Sequence, residues 1–458
     1  MLSALQRAIT ALVEPIPGEK RELLSRRWQA LAPELRTDWQ VVGRQIVHCA
    51  YTLGPSYCSF GCSHCYLPAN ANRTPLPSLE EMKRQIDANR LDMGPRGALQ
   101  ITGGDVVDAY WRAGRPDDLV EVLRYANDSG LVPMLMTHGQ VLLEQPEYLV
   151  ALVRAGGLRK TAIHIDLTQA GRPGFPVGSL RSEGDLNPLR QQFVELIHDV
   201  RRRTGVRLTA AHTVTVTERN IDSINEIVSW LLEDKRRVQA FHMLSFQTEA
   251  QVGRTRKFGD GVTAEATWKA LCRSVGKELP RDGLIFGHPD CSSWAMLLVD
   301  LYDRRVVNVL ATDDRSRRFY KKLLEVFGGV GSRGESNLEA NLQRIGQLAR
   351  HPGFVGELLS YIGYRIRGDR LGLRFFMRGL RGRVVPLNLV MHNFMDADEI
   401  ARGGSEVEER LAACSFRGAV ECDGRWVSVP MCSMNAVERE TLYEIEISRA
   451  REAACSNR

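Results

Sequence analysis

The stretch Val47-His48-Cys49-Ala50-Tyr51-Thr52-Leu53-Gly54-Pro55-Ser56-Tyr57-Cys58-Ser59-Phe60-Gly61-Cys62-Ser63-His64-Cys65-Tyr66 decides how this chain is read. It opens on an apolar run with strand character and turns at once into a loop with C-x3-C-x2-C spacing. Thiolates are soft ligands that hold zinc or iron–sulfur clusters. Three of them on one tight loop can ligate three irons of a 4Fe–4S cluster and leave the fourth iron open to a small molecule. Gly54, Pro55 and Gly61 let the loop wrap closely. The competing reading is a structural zinc knuckle, which needs a fourth tetrahedral ligand. His64 or Cys49 would have to supply it, and neither gives a usual paired spacing.

Outward from this loop the chain keeps a regular rhythm. Short apolar runs at Val47–Leu53, Ala98–Thr102, Val132–Thr137, Thr161–Leu167, Arg207–Val216 and Val238–Phe246 alternate with helical patterns near 78–92, 117–129, 143–155, 186–203 and 221–234. Ser78 followed by Glu81 is a capping-box start for the first helix. Strands alternating with helices predict a parallel sheet of right-handed βαβ units. Six units are fewer than the eight of a closed barrel. The expected fold is therefore α/β, a partial (βα)6 barrel with its site at the C-terminal strand ends. An open doubly wound sheet is the alternative. The expected organisation is an N-terminal helical extension over 1–45, broken at the PIPG of 15–18, and the partial barrel over 46–256. A mostly helical region over 257–383 and a Cys-containing α+β domain over 384–458 follow. Residues 263–345 in particular read as mostly helical.

The 458 residues are 43% hydrophobic and 25% charged, as in a protein that buries a core without disulfide staples. A net charge of +6 is too mild to demand a polyanionic partner. No run approaches the roughly 18 apolar residues of a membrane span, and the N-terminal segment lacks signal-peptide patterning. A cytoplasmic location, with membrane-peripheral contact as an option, is the expectation. Ten cysteines in such a chain point to metal or catalysis rather than disulfides.

C-x3-C-x2-C after the first strand of a (βα)6 chain resembles the signature of the radical S-adenosylmethionine (SAM) superfamily. The resemblance implies that Cys58, Cys62 and Cys65 hold a 4Fe–4S cluster whose open iron binds the amino and carboxylate groups of SAM. Reductive cleavage of SAM then gives methionine and a 5′-deoxyadenosyl radical that abstracts hydrogen from an unactivated carbon. It also implies an electron donor such as flavodoxin or ferredoxin. Thr102-Gly103-Gly104-Asp105 follows the second strand and resembles the family's GGE motif, which meets the SAM amino group. His64 stands where the family often has an aromatic residue near the adenine. Asp166 ends the fourth strand, where it would meet the SAM ribose or cap the next element. Thr137-His138-Gly139 is similar to the family's turn after the third strand, and Asn220 is polar lining or a cap.

Later motifs resemble one branch of that superfamily, the archaeal tetraether lipid synthase and its pterin-methylating relatives. They are Phe246-Gln247 with Gly253-Arg254, then His288-Pro289-Asp290-Cys291, then His392-Asn393-Phe394-Met395-Asp396. Last come Cys414, Asp423-Gly424 and Pro430-Met431-Cys432-Ser433-Met434-Asn435, with Arg439 beyond. Thr248, Met431 and Met434 depart from the branch's Pro, Phe and Tyr. The resemblance implies Gln247, Arg254, His392, Asp396 and Asn435 as site residues. Cys291, Cys414 and Cys432, with Cys422 as a fourth candidate, are the ligands of a possible second iron–sulfur cluster. Read without the resemblance, they are small buried hydrophobes. Cys49, Cys272 and Cys455 read as structural.

The stretch 361–383 holds Arg365, Arg367, Arg370, Arg374, Arg378, Arg381 and Arg383 against the single acid Asp369, interleaved with apolar residues. Such a stretch suits an anionic membrane surface, an anionic substrate headgroup, nucleic acid, or simply solvent. The functional expectation is C–C bond formation or alkylation on a lipid-like or otherwise apolar-anionic substrate. A radical methylase of a pterin or other heterocycle is the alternative. A non-catalytic zinc or nucleic-acid-binding protein is the alternative of another class, and it leaves the GGD motif and the six-strand rhythm unexplained.

Overall fold

A computed structural model describes residues 4–47, 49–255, 261–330 and 337–456. Its strands are β1 (Cys49–Tyr51), β2 (Ala98–Ile101), β3 (Val132–Thr137), β4 (Lys160–His164), β5 (Thr209–Val216), β6 (Phe241–Thr248), β7 (Ser292–Asp300), β8 (Arg305–Asn308), β9 (Val384–Asn393), β10 (Phe416–Cys422) and β11 (Arg425–Pro430). They form one sheet in the order β11-β10-β1-β2-β3-β4-β5-β6-β9-β7-β8. From β1 to β6 the strands are parallel and in sequence order. A doubly wound sheet reverses its order at a switch point, and none occurs here. Among the described residues no pairing joins β11 to β8, so the sheet stays open. The expected partial barrel is the fold observed.

The helices between the strands follow from their apolar spacing. In Pro116–Asp128 the buried residues are Leu119, Val122, Leu123 and Ala126, one stripe against the sheet. Helix Leu79–Met93 starts with the capping box read from the sequence: Glu81 N–H donates to Ser78 Oγ and Ser78 N–H to Glu81 Oε2. The N-terminal extension forms helices Ala4–Val13 and Gly18–Ala30, separated at the PIPG break.

Residues 263–345 need a correction. Besides helices they hold the β7–β8 hairpin. β7 alternates in burial and pairs antiparallel with β9 from Ser292–His392 to Asp300–Val384. That partner lies far along the chain, so no local pattern announces it. The last segment contributes to both flanks of the core sheet: β9 lies parallel beside β6, and β10 parallel beside β1. The two flanks approach each other in space, since the His392 ring at the end of β9 meets the Phe416 ring at the start of β10 edge-on, 5.0 Å between centroids. The sheet therefore curls until its C-terminal additions converge.

Lys20 is buried against this core, with Nζ donating to the Met93 carbonyl at 3.1 Å. Burial first, then the charges of Arg90 and Arg96, push its amine down to about 8. The unfolded lysine keeps its ordinary higher value, so it binds more protons there and stability rises with pH over that window. Lys20→Met is expected to stabilise the fold by about 1 kcal/mol at neutral pH, with the gap to wild type narrowing from about pH 8 to pH 10. Urea unfolding of both proteins across that range checks it.

Candidate active site

The cysteine loop is built on its neighbours' backbone. Gly104 N–H donates to the Pro55 carbonyl at 2.7 Å and Asp105 N–H to the Tyr57 carbonyl at 2.8 Å. Gly61 N–H reaches the Ala170 carbonyl and Arg254 N–H the Cys65 carbonyl. Turns after β2, β4 and β6 thus hold one loop. A Cβ on Gly103 would come within 2.8 Å of the Leu53 carbonyl oxygen and closer still to that of Pro55, and one on Gly104 would strike the carbonyls of Ser56 and Tyr57. Glycine is required because two backbones touch. If this loop holds a 4Fe–4S cluster, Gly104→Ala is therefore expected to take up less iron than wild type on reconstitution while the far-UV circular dichroism changes little; iron counting checks it.

Cys58, Cys62 and Cys65 are half-buried and within electrostatic reach of one another. Burial raises all three thiols, Cys62 to about 12 with Cys65 adding to the rise. Arg254 and the buried Arg439 oppose that rise at Cys65. Arg439 donates to the Leu53 carbonyl, Tyr443 Oη and Asn435 Oδ1 and lies over the Tyr66 ring. A loop of raised thiols flanked by guanidinium groups suits an anionic metal–thiolate group, because a bound cation removes the protons and the arginines balance the net negative charge. Among the described residues no three of His, Cys, Asp and Glu are placed to hold a single metal ion. A four-iron cluster takes each thiolate on a different iron, so the three cysteines fit the ligand set of such a cluster.

The carboxylates expected to meet SAM have other work. Asp105 is buried, and its oxygens accept from Asp108 N–H, Thr137 Oγ1 and His138 N–H, the last at 2.6 Å. It caps helix Val106–Arg112 and ties β2 to the turn after β3. Asp166 accepts from Thr168 N–H, Thr168 Oγ1 and Thr215 N–H, and its Oδ2 lies 2.5 Å from His164 Nε2. Burial alone would raise this carboxyl, but His164, Thr168 and Thr215 hold it down to about 2. Of the pair, His164 is the partly exposed member. Asn220 is buried, with its amide shared between Thr217 N–H, Glu183 and the Thr215 carbonyl. Sequence reasoning passed over His164, and also Asp108, which accepts from Ser59 N–H at 2.8 Å inside the cysteine loop. A histidine two residues before a strand-end aspartate was the available signal for the first.

At the next strand ends the parallel pairing of β6 and β9 puts Gln247 opposite His392. His64 Nδ1 lies 2.8 Å from Glu249 Oε1 just beyond β6, so an acid side chain occupies its edge. Asp396 forms a capping box at the start of helix Ala397–Arg402 and accepts from Gln251 N–H at 2.6 Å, which makes it a positioning residue. Burial pushes His392 down to about 4, and its Nδ1 lies 3.0 Å from Ser292 Oγ. Asn435 receives Arg439 Nε–H on a π-helical turn, Met434–Glu438. A cavity of about 260 Å³ lies among Glu249, Gln251, Asn393, Phe394, Asp396 and Arg410.

Arg410 leads to the second cysteine group. Cys291, Cys414 and Cys432 come from three distant segments, and the structure brings them within electrostatic reach of each other and of Arg410. Burial raises all three thiols, Cys291 to about 11. Arg410 is buried, paired with Glu399 at 2.8 Å, and among the described residues its Nε has no hydrogen-bond partner. Cys422 is exposed at the β10–β11 turn and stands apart. Cys49 and Cys272 are buried, as expected of structural cysteines; the side chain of Cys455 lies outside the described residues.

No family model matches the chain. Among curated proteins it is similar to 7,8-dihydro-6-hydroxymethylpterin dimethyltransferase of Methanocaldococcus jannaschii, with 29% identity over 141 residues, 30% of this chain and 25% of that one. The match thus spans a quarter of the curated relative. Among solved structures, native anSMEcpe with bound AdoMet and a Cp18Cys peptide is 14% identical, covers 49% of this chain and 57% of its own, and has a TM-score of 0.34. Native anSMEcpe with bound AdoMet is 11% identical, covers 69% and 99%, and has a TM-score of 0.36. Overlaps that loose decide neither fold nor chemistry. The chain's own features are the C-x3-C-x2-C loop after β1, the glycine turn after β2 bonded to it, and six parallel strands in sequence order, an arrangement similar to that of the radical SAM superfamily.

Proposed function

We propose that the chain is a radical SAM enzyme that acts on an unactivated carbon of a lipid-like or otherwise apolar-anionic substrate, forming a C–C bond or alkylating it. The observation that carries this reading is the direct backbone bonding of the GGD turn to the cysteine loop, which couples a turn resembling a SAM-binding motif to three thiols. A 4Fe–4S cluster on Cys58, Cys62 and Cys65 would, when bound, supply the electron that splits SAM into methionine and a 5′-deoxyadenosyl radical. The chain's residues do the rest. Gly103 and Gly104 let the turn after β2 pack against the cysteine loop, Asp105 and Asp166 hold the surrounding turns, and His164 and His64 are the candidate side chains for SAM. Arg254 and Arg439 balance charge at Cys65. The cavity between Glu249 and Arg410 is the candidate substrate space, with Gln247 and His392 near it. Cys291, Cys414 and Cys432 are candidate ligands of a second cluster, and a ferredoxin or flavodoxin would supply electrons. The test is anaerobic reconstitution followed by assay of 5′-deoxyadenosine after adding SAM and dithionite. Formation of the nucleoside is expected; a fully reconstituted protein that forms none sinks the proposal.

A second reading is methylation of a pterin or other heterocycle, favoured by the name of the Methanocaldococcus jannaschii relative. S-adenosylhomocysteine appearing beside 5′-deoxyadenosine would select it.

A further inference from the structure

A surface helix ordinarily turns its apolar stripe to the core. Helix Leu373–Leu380 does the reverse. Leu373 is 77% exposed, Phe376 40%, Met377 41% and Leu380 83%. Phe376, Met377 and Leu380 follow Leu373 by three, four and seven residues, which places all of them on one outward stripe. The inward anchors are few: Phe375 is buried, and Arg378 is ion-paired to Asp300 and Asp303 on the β7–β8 hairpin. The preceding helix, Pro352–Gly368, also exposes Val355, Leu359 and Ile362 at helical spacing.

The charges around this stripe are one-sided. Arg365 is paired with Asp369 and Arg378 with the hairpin acids. Arg367, Arg370, Arg374, Arg381 and Arg383 are exposed, and none has an ion pair among the described residues. An exposed apolar stripe marks an interaction surface, and a one-signed cluster of arginines attracts anionic partners. A single environment satisfies both: apolar side chains in the acyl boundary with guanidinium groups at anionic headgroups. No described helix is long and apolar enough to cross a membrane. We propose that Leu373–Leu380 and its flanking arginines dock this protein onto an anionic phospholipid surface. This inference is independent of the proposed reaction, because it requires neither SAM nor iron.

The experiment is co-sedimentation of the full chain with phosphatidylglycerol-containing vesicles and with pure phosphatidylcholine vesicles. Binding to the anionic vesicles, weakened by salt, is expected. Arg374→Gln/Arg381→Gln should weaken it by roughly fivefold per arginine, since each basic residue near an anionic surface contributes about 1 kcal/mol. Leu373→Gln/Leu380→Gln should weaken it at least as much while leaving SAM cleavage unchanged. Equal binding by wild type and the leucine variant, or no binding to anionic vesicles, overturns the proposal. So does a wild-type dimer in sedimentation equilibrium that the leucine variant dissolves, which would assign the stripe to a second copy of this chain.

Discussion

Replacing Cys58, Cys62 and Cys65 together by alanine is expected to remove about four irons per chain and all 5′-deoxyadenosine formation, with the fold retained. The loop keeps its shape through backbone bonds from Gly104, Asp105, Gly61 and Arg254, none of which involves a thiol. Asn72 adds a reciprocal pair, accepting from Cys58 N–H and donating to its carbonyl. The scaffold therefore survives loss of the sulfurs, and the chemistry does not. The measurement is iron per chain and nucleoside yield for wild type and triple variant, with circular dichroism as the fold control. Iron that persists in the variant would lie on Cys291, Cys414 and Cys432, and its loss in a further Cys414→Ala/Cys432→Ala variant would assign it. Iron and activity both unchanged in the triple variant would contradict the site.

The second large effect lies beneath the sheet. Arg190 and Glu183 are fully buried and ion-paired at 2.5 Å. Arg190 Nε–H also donates to His212 Nε2 at 2.9 Å, and Glu183 accepts from Leu167 N–H and Asn220 Nδ2. Burial raises the Glu183 carboxyl, and the Arg190 guanidinium opposes the rise. Arg190→Met leaves an uncompensated acid between the sheet and its helices and is expected to cost about 3–5 kcal/mol. The stranded acid must take up a proton to stay buried. Its folded pKa then lies further above the unfolded one, the folded state binds more protons, and the loss deepens as pH rises above the ordinary carboxyl range. Glu183→Gln in the same chain removes the stranded charge and should restore more than half of the stability. Urea denaturation of the single and double variants at two pH values tests this; a pH-independent loss, or a double variant no more stable than the single, would contradict it.

The local patterns carried most of the core. Alternating runs of two periodicities located β1 to β6 and their helices, and the Ser78–Glu81 capping box formed as read, because each depends on neighbours a few residues away. The thiol spacing at 58, 62 and 65 was legible for the same reason. The β7–β8 hairpin was not, since its partner β9 is remote in sequence and strand preference depends on such partners.

The site divides along the same line. Residue types and their order are local information: three thiols on a loop, glycines after β2, a strand-end acid. How their valences are filled depends on contacts made across the fold. Asp105 and Asp166 spend their oxygens on neighbouring turns, so His164 becomes the partly exposed group. Asp396 becomes a helix cap, and Arg439 and Arg410 become the cations beside the two cysteine groups. Cys291, Cys414 and Cys432 converge although their spacing carries no ligand motif, because the curled sheet brings β9 to β10. A carboxylate has a limited set of acceptor positions, and a buried charge responds to whatever lies within a few ångströms. Those neighbours are set by strand pairing and sheet curvature, which no local spacing encodes.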